Sequence, residues 1–330
     1  MTSNYDVIGI GNAIVDVIFA ASDEFLLEHT IAKSVMTLIN EYRAARLIDA
    51  SENAKQSSGG SAANTMAGLA SFGASGCFVG KVKKDRLGLG FAEDLERIGV
   101  KFDTRMAAQG PSTACCVIVV TPDGHRSMNT YLGACRELTP DDINPAQVGA
   151  ASLLYVEGYM WDDEHSKAAI RKAIAAAKGA GRKVAFTLSD PFCVGRYREE
   201  FLALMKADID ILFANEEEAK ALFEVENFAP ALEAAREWRG LAVMTRSEKG
   251  CVVADPSGGV HMQAAEPGAK VLDTTGAGDQ FAAGFLYGLS RGRDLTVCAR
   301  LGSIAAAEVI SHYGARPEHS LKALAAKAGL

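Results

Sequence analysis

From about residue 152 the chain alternates short apolar runs with helical stretches of ten or so residues. Extended segments are predicted at 152–156, 183–187, 209–214 and 241–245, and helices at 165–178, 198–205, 216–223 and 230–239. Pro230 suits a first helical position, where its missing N–H costs nothing. Strands that recur with helical crossovers favour a parallel sheet covered on both faces. The expected fold class is therefore α/β: a three-layer body with a mostly parallel central sheet between helices.

The earlier part of the chain breaks this rhythm. Extended segments at 5–10, 14–20 and 36–39 follow one another, with a helical pattern only at 41–53. Ser57-Ser58-Gly59-Gly60 reads as a loop, with Ser61 as the cap of a helix at 62–72. A strand at 76–80 and a helix at 88–98 come next. The β-branched run 114–120, the turn Thr121-Pro122-Asp123-Gly124 and the run 126–132 make a hairpin. These strands outside the alternation predict a small second sheet, built within about 12–40 and 112–132 of a single 1–330 domain. A second hairpin is expected at 252–254 and 260–264. Helices are expected at 296–310 and in the tail 322–330.

Composition narrows the function classes. Of 330 residues 48% are hydrophobic and 23% charged, enough apolar matter for a large core. Net charge is −7 with no long basic run, so nucleic acid and anionic membrane are poor partners. No apolar stretch approaches the ~20 residues of a membrane span. Met1 to Asp6 lacks the basic and apolar regions of a signal peptide, and a cytoplasmic protein is expected. Seven scattered cysteines without a Cys-x-x-Cys read as buried free thiols, and the six histidines have no zinc spacing.

The strongest local signal is Asp273-Thr274-Thr275-Gly276-Ala277-Gly278-Asp279, followed at once by an apolar helical run from Phe281. Backbone N–H groups at such a turn have no intrahelical partner, and the helix dipole favours an anion there. Asp279 would repel a resting phosphate, yet it suits phosphoryl transfer, where a base must take the proton of the attacking hydroxyl. A bare glycine turn is the alternative.

Other motifs are weaker alone. Gly9-x-Gly11 imitates a dinucleotide fingerprint, but Ile14 replaces the third glycine and a strand follows. Asn12 and Asp16 either cap a turn or present polar groups to a polyhydroxy ligand. Gly59-Gly60-Ser61-Ala62-Ala63-Asn64 is a helix entry that also permits close backbone approach. Asn215-Glu216-Glu217-Glu218 is either dipole capping or a carboxylate that holds Mg²⁺ through water. Thr245, Ser247 and Gly250 form either a plain turn or a phosphate-facing loop. No Walker A sequence occurs, so a kinase here is not a P-loop enzyme.

Together these motifs resemble the ribokinase-like (PfkB) carbohydrate and nucleoside kinases, in order and spacing across essentially the whole chain. The resemblance implies the α/β body with a small β-sheet lid. It implies Asp279 as the base and the N–H groups of Gly276, Ala277 and Gly278 as the anion hole. It implies Asn215, Thr245, Ser247, Gly250 and Thr274 toward ATP, and Glu218 toward Mg²⁺ through water. Ser247 departs from the glycine common at that place. Asp273 and Thr275, with the backbone near 311–314, resemble the family's monovalent-cation (K⁺) site.

Within the family the likeness is greatest to the adenosine-kinase branch. Gly11, Asn12 and Asp16 match its ribose-binding pattern, as do Gly60 and Asn64, and residues 126–134 resemble its lid strand. Met36, Leu38, Met128 and Tyr159 are then candidates for purine-pocket walls, with ordinary core packing as the alternative. The implied reaction is phosphorylation of the 5′-hydroxyl of adenosine by ATP, with ribose, fructose, inosine or guanosine as alternative acceptors. A monomer and a homodimer are both compatible with the chain.

Overall fold

A computed structural model describes residues 5–238 and 240–330. Met1 to Asn4 and Arg239, which the sequence reading includes in the N-terminal stretch and in the 230–239 helix, lie outside them. The strands are, in chain order, β1 (Tyr5–Ile10), β2 (Ile14–Ala20), β3 (Met36–Leu38), β4 (Lys55–Gly59), β5 (Gly76–Val79), β6 (Val100–Phe102) and β7 (Ala114–Val120). They continue with β8 (Arg126–Tyr131), β9 (Ala151–Glu157), β10 (Lys183–Thr187), β11 (Ile211–Asn215), β12 (Leu241–Thr245), β13 (Cys251–Ala254) and β14 (Val260–Gln263).

The large sheet has the order β14-β13-β12-β11-β10-β9-β1-β5-β6. It is parallel from β12 to β6, and β13 and β14 are antiparallel. Its strands are apolar on both sides because both faces are covered. One face packs on a core with Trp161, Phe186 and Phe201 and the helices Glu164–Gly179, Pro191–Ala207 and Glu216–Phe223. The other packs on Phe78, Phe91 and Phe285 and the helices Ser61–Phe72, Arg86–Arg97, Ala277–Ser290 and Leu295–Val309. From β1 the chain leads to β5 on one side and later to β9 on the other. The sheet's switch point, where open α/β sheets take ligands, therefore lies between β1 and β9.

The small sheet has the order β3-β8-β7-β2-β4. Its register sets Ser57, Asp16, Cys116, Thr130 and Leu38 in one cross-strand row, and Lys55, Ile18, Ile118, Met128 and Met36 in the next. The opposite face, carrying Phe19, Cys115, Val117 and Val119, is covered by Leu26, Ala44 and Leu47 of the helices Asp23–Glu28 and Glu41–Asp49. Period-two alternation thus leaves the Asp16 face turned away from those helices.

Four local expectations need correction. Residues 57–59 are not loop but part of β4, an edge strand whose polar sequence Lys-Gln-Ser-Ser-Gly hides its extended state. This strand lies outside the ranges expected for the small sheet. Ser61 does not cap its helix: the helix starts at Ser61 itself behind Gly60, and the hydroxyl is spent elsewhere. Pro230 is third, not first, in the helix Phe228–Glu237, because Asn227 is the preceding N-cap residue. The helix expected at 198–205 runs from Pro191 to Ala207, past a non-helical Tyr197 that interrupts its pattern. All seven cysteines are free and buried. Among the described residues no helix is long and apolar enough to cross a membrane.

Close helix crossings hold the second face together. A Cβ on Gly284 would strike the backbone carbonyl of Leu301, and one on Gly302 would come within 2.8 Å of the Phe281 carbonyl. Gly284→Ala therefore sets a helix-propensity gain of ~1 kcal/mol against overpacking of ~1–3 kcal/mol. The backbone obstacle cannot rotate away, so overpacking wins. Urea unfolding should show a net loss of stability, and a gain would contradict the crossing.

Candidate active site

The site grows from the switch point. Beyond the end of β1, the Asn12 N–H donates to Glu157 Oε1 at 2.7 Å, and the Ala62 N–H donates to Glu157 Oε2 at 2.8 Å. Glu157 ends β9 and is fully buried. One carboxylate thus ties β1 and β9 to the start of the helix Ser61–Phe72. Gly60 enters that helix at φ 96°, a conformation that L side chains rarely adopt. A Cβ there would also strike the Asn12 carbonyl.

The same helix entry meets Asp279. Ser61 Oγ donates to Asp279 Oδ1 at 2.6 Å, and Asn64 Nδ2 donates to Oδ2 at 3.3 Å. The neighbouring Gln280 is completely buried, and its Nε2 donates to the carbonyls of Asn64 and Ala315, both at 2.9 Å. Gly276 precedes the helix Ala277–Ser290 at φ 78°. The first N–H groups of that helix face out of its N-terminus, although Ala277 N–H bends back to the Thr274 carbonyl at 3.2 Å. A Cβ on Gly278 would meet nothing within 4 Å, whereas one on Gly276 would strike Ala315 at 2.7 Å, so the turn is open on its Gly278 side. That geometry fits the phosphates of ATP.

Burial pushes Asp279 up to about 6; Ser61 and Asn64 hold it down, while Asp16 raises it further. Asp16, on the inner face of the small sheet, is also pushed up to about 6 by burial, against the pull of Arg316 and Arg126. Burial takes Glu157 and Glu218 each to about 7. The cleft therefore concentrates four carboxylates with raised affinity for protons.

Met36, Leu38 and Met128 share one face with Asp16. At 54% and 62% exposed, Met36 and Leu38 are not core residues. Tyr159 packs against the core that holds Trp161, its N–H donates to Ser189 Oγ at 3.2 Å, and its ring lies within electrostatic reach of Asp190, Glu157 and Glu218. Asn215 and Thr245 are register partners at the C-terminal edge of β11 and β12. Asn215 and Glu218 form a reciprocal capping box, with Glu218 accepting from the Asn215 N–H at 2.9 Å and from Nδ2 at 2.6 Å. Glu218 is buried and its oxygens are engaged, which suits contact with Mg²⁺ through water rather than direct ligation. Among the described residues no group of three or more His, Cys, Asp or Glu is arranged to hold a metal ion.

Ser247 adopts φ 51°, the left-handed conformation that glycine takes without strain. The loop thus keeps a glycine-like path, and Gly250 follows at φ 82°. Asp273 does not fit a cation site. Its Oδ1 accepts from Thr275 N–H at 3.0 Å and Oγ1 at 2.6 Å, and its Oδ2 accepts from Gly314 N–H at 3.0 Å and pairs with Arg126. Both carboxylate oxygens already face donors, and Arg126 supplies the positive charge.

Sequence reasoning missed Ser61 as a partner of Asp279, and it missed Glu157, Gln280, Arg126 and Arg316. Each acts across a long sequence separation, and no local motif marks it.

A family model described as pfkB family carbohydrate kinase matches residues 30–321. The structure of adenosine kinase from Sinorhizobium meliloti is 48% identical, with a TM-score of 0.90, covering 99% of this chain and 100% of that one. A probable sugar kinase from Rhizobium etli CFN 42 is 44% identical, with a TM-score of 0.90 and 99% of each chain covered. Among curated relatives, an uncharacterized sugar kinase of Archaeoglobus fulgidus is 31% identical over 254 residues, 76% of this chain and 96% of that protein. The adenosine kinase of Saccharomyces cerevisiae is 28% identical over 328 residues, 92% of this chain and 94% of its own. On this evidence the chain belongs to the pfkB family of carbohydrate kinases and is a phosphotransferase that acts on a hydroxyl group.

Proposed function

We propose that the protein transfers the γ-phosphoryl group of ATP to the 5′-hydroxyl of adenosine, giving AMP and ADP. The observation that carries this reading is the junction at Asp279. A half-buried carboxylate held by Ser61 and Asn64 sits in the first turn of a helix that has open space beside Gly278. Asp279 takes the proton of the acceptor hydroxyl as its oxygen bonds to the γ-phosphorus. The bond to the β-phosphate oxygen breaks, and ADP leaves with that electron pair. The N–H groups of Gly276 and Gly278 serve the transferring group and stabilise its charge, while the Ala277 N–H, expected beside them, is engaged by the Thr274 carbonyl.

Asn12, Asp16, Gly60 and Asn64 hold the sugar hydroxyls, because they converge where the small sheet meets the helix entry. The small sheet serves as a lid over them, tied to the phosphoryl turn by the Arg126–Asp273 pair. Closure excludes water and suppresses ATP hydrolysis. Asn215, Thr245, Ser247, Gly250 and Thr274 serve the nucleotide. Mg²⁺, when bound through water near Glu218, neutralises phosphate charge.

A nucleoside is favoured over a bare sugar by the apolar surface beside Asp16. Met36, Leu38 and Met128 offer a flat base the apolar contact that a sugar does not need. The name of the Sinorhizobium meliloti neighbour supports the same choice. The Rhizobium etli neighbour keeps a sugar acceptor as the second reading. Kinetics on adenosine, inosine, guanosine, ribose and fructose separate the two, and a kcat/KM highest for ribose or fructose would reject the nucleoside.

Asp279→Asn should lower kcat by ~10²–10⁴-fold, the usual worth of a general base. Calorimetry should still show adenosine binding within a few-fold of the wild type. Near-normal turnover would remove Asp279 as the base.

The base works only when deprotonated. With Asp279 held up to about 6 in the free protein, kcat/KM should rise with pH through an acid limb near that value and then level off. An acid limb at an ordinary aspartate value, near pH 4, would contradict the buried site.

A further inference from the structure

Arg316 lies after the last helix of the second face, on the segment whose Ala315 carbonyl accepts from Gln280. Its Nη1 donates to Asp94 Oδ2 at 2.8 Å, and its Nε donates to Asn64 Oδ1 at 3.4 Å. Asp94 is itself fixed. It accepts from the N–H of Ser58 on β4 at 2.8 Å and from the Ser58 hydroxyl at 2.5 Å, and it pairs with Arg97. Arg316 Nη2 is buried without a hydrogen-bond partner among the described residues. Both ends of the Asn64 amide are thus committed, with Oδ1 to Arg316 and Nδ2 to Asp279.

An amide is nearly symmetric in shape and opposite in hydrogen-bond sense at its two ends. Left alone, Asn64 could turn and present Oδ1, an acceptor, to the Asp279 carboxylate. A fixed donor on Oδ1 removes that orientation. We propose that Arg316 is a positioning residue: anchored on Asp94, its guanidinium fixes the Asn64 amide so that Nδ2 donates to the base Asp279. This rests on the reading of Asp279 as the base. The planar guanidinium fork can engage Asp94 and Asn64 together, which a lysine ammonium cannot reproduce.

The groups facing Asp279 are Ser61 and Asn64 from the helix Ser61–Phe72, Asp16 from β2, Tyr155 and Glu157 from β9, and Glu218 from the helix Glu216–Phe223. Arg316 reaches Asp279 only through Asn64, but it also acts electrostatically on Asp16. A substitution series separates the two routes.

The test uses the full-length enzyme with the best acceptor of the panel above. Arg316→Gln should lower kcat by ~10-fold, the size of one lost charge-assisted hydrogen bond. It should also move the acid limb of kcat/KM to higher pH, because Asp279 loses a donor to its charged form. Arg316→Lys should do the same, since it keeps the charge and loses the fork. In an Asn64→Ala background, Arg316→Gln should change kcat by less than ~2-fold, because the two residues act as one unit. Additive effects of the two substitutions, or full rescue of kcat and the acid limb by Arg316→Lys, would overturn the proposal. Melting midpoints of each variant show whether a loss is unfolding; if Arg316→Gln does not fold, the Arg316→Lys kcat and pH profile decide alone. Turnover by Asp279→Asn reports separately on the base. If that variant stays active the base reading falls, while the coupling of Arg316 to Asn64 is still measured by the double-mutant cycle.

Discussion

The architecture of the site depends on the crossing of the helices Ser61–Phe72 and Ala277–Ser290. Gly68 lies against Ala283 and Gln280 there: a Cβ on it would come within 2.6 Å of the Ala283 methyl. Gln280, wholly buried at the crossing, hydrogen-bonds the backbone of Asn64 and of Ala315. A buried amide left unpaired would cost ~1–3 kcal/mol, so its two donated bonds define where the three segments sit. The side chain one residue earlier is Asp279, and those one and four residues into the other helix are Ser61 and Asn64. Packing of small residues therefore decides the geometry around the carboxylate.

Electrostatics follows from that packing. The cleft buries Glu157 and Glu218 and half-buries Asp16 and Asp279 where opposite charge is scarce, and desolvation raises all four. Glu157 is paired with two backbone donors and joins the sheet's switch point to the helix entry. Arg126 and Arg316 bring positive charge from the small sheet and from the C-terminal segment. Each is tied to an acid, Asp273 or Asp94, so the cleft keeps its negative balance. A site of this kind stores proton affinity at the carboxylate that must accept a proton, which suits a general base working near neutral pH.

Much of the fold was legible because it rests on local pattern. The alternation after residue 152 marks parallel strands and their helices, and β10 and β12 fall at the expected residues. The hairpin of β7 and β8 was marked by its Pro-Asp-Gly turn. β4 was hidden, since an edge strand made of Lys, Gln, Ser and Gly carries no hydrophobic alternation. Ser61 was read as a cap for a sound local reason, because a serine at a helix entry usually bonds its own backbone. A carboxylate 218 residues away offered a stronger acceptor.

Local pattern encodes the α/β class, the glycine turn before Ala277 and the motifs that carry Asp279, Asn64, Asp16 and Asn12. Each is set by neighbours a few residues apart, through periodicity, turn chemistry or a short motif. Which side chains meet follows from packing in three dimensions. It brought Ser61 and Asn64 to Asp279, Arg316 to Asn64, and Glu157 to both Asn12 and Ala62. It turned Met36, Leu38 and Met128 to the face of Asp16 and packed Tyr159 against the Trp161 core. These contacts join segments far apart in the chain. Their partners are chosen by helix crossings and strand order, which no local window of residues contains.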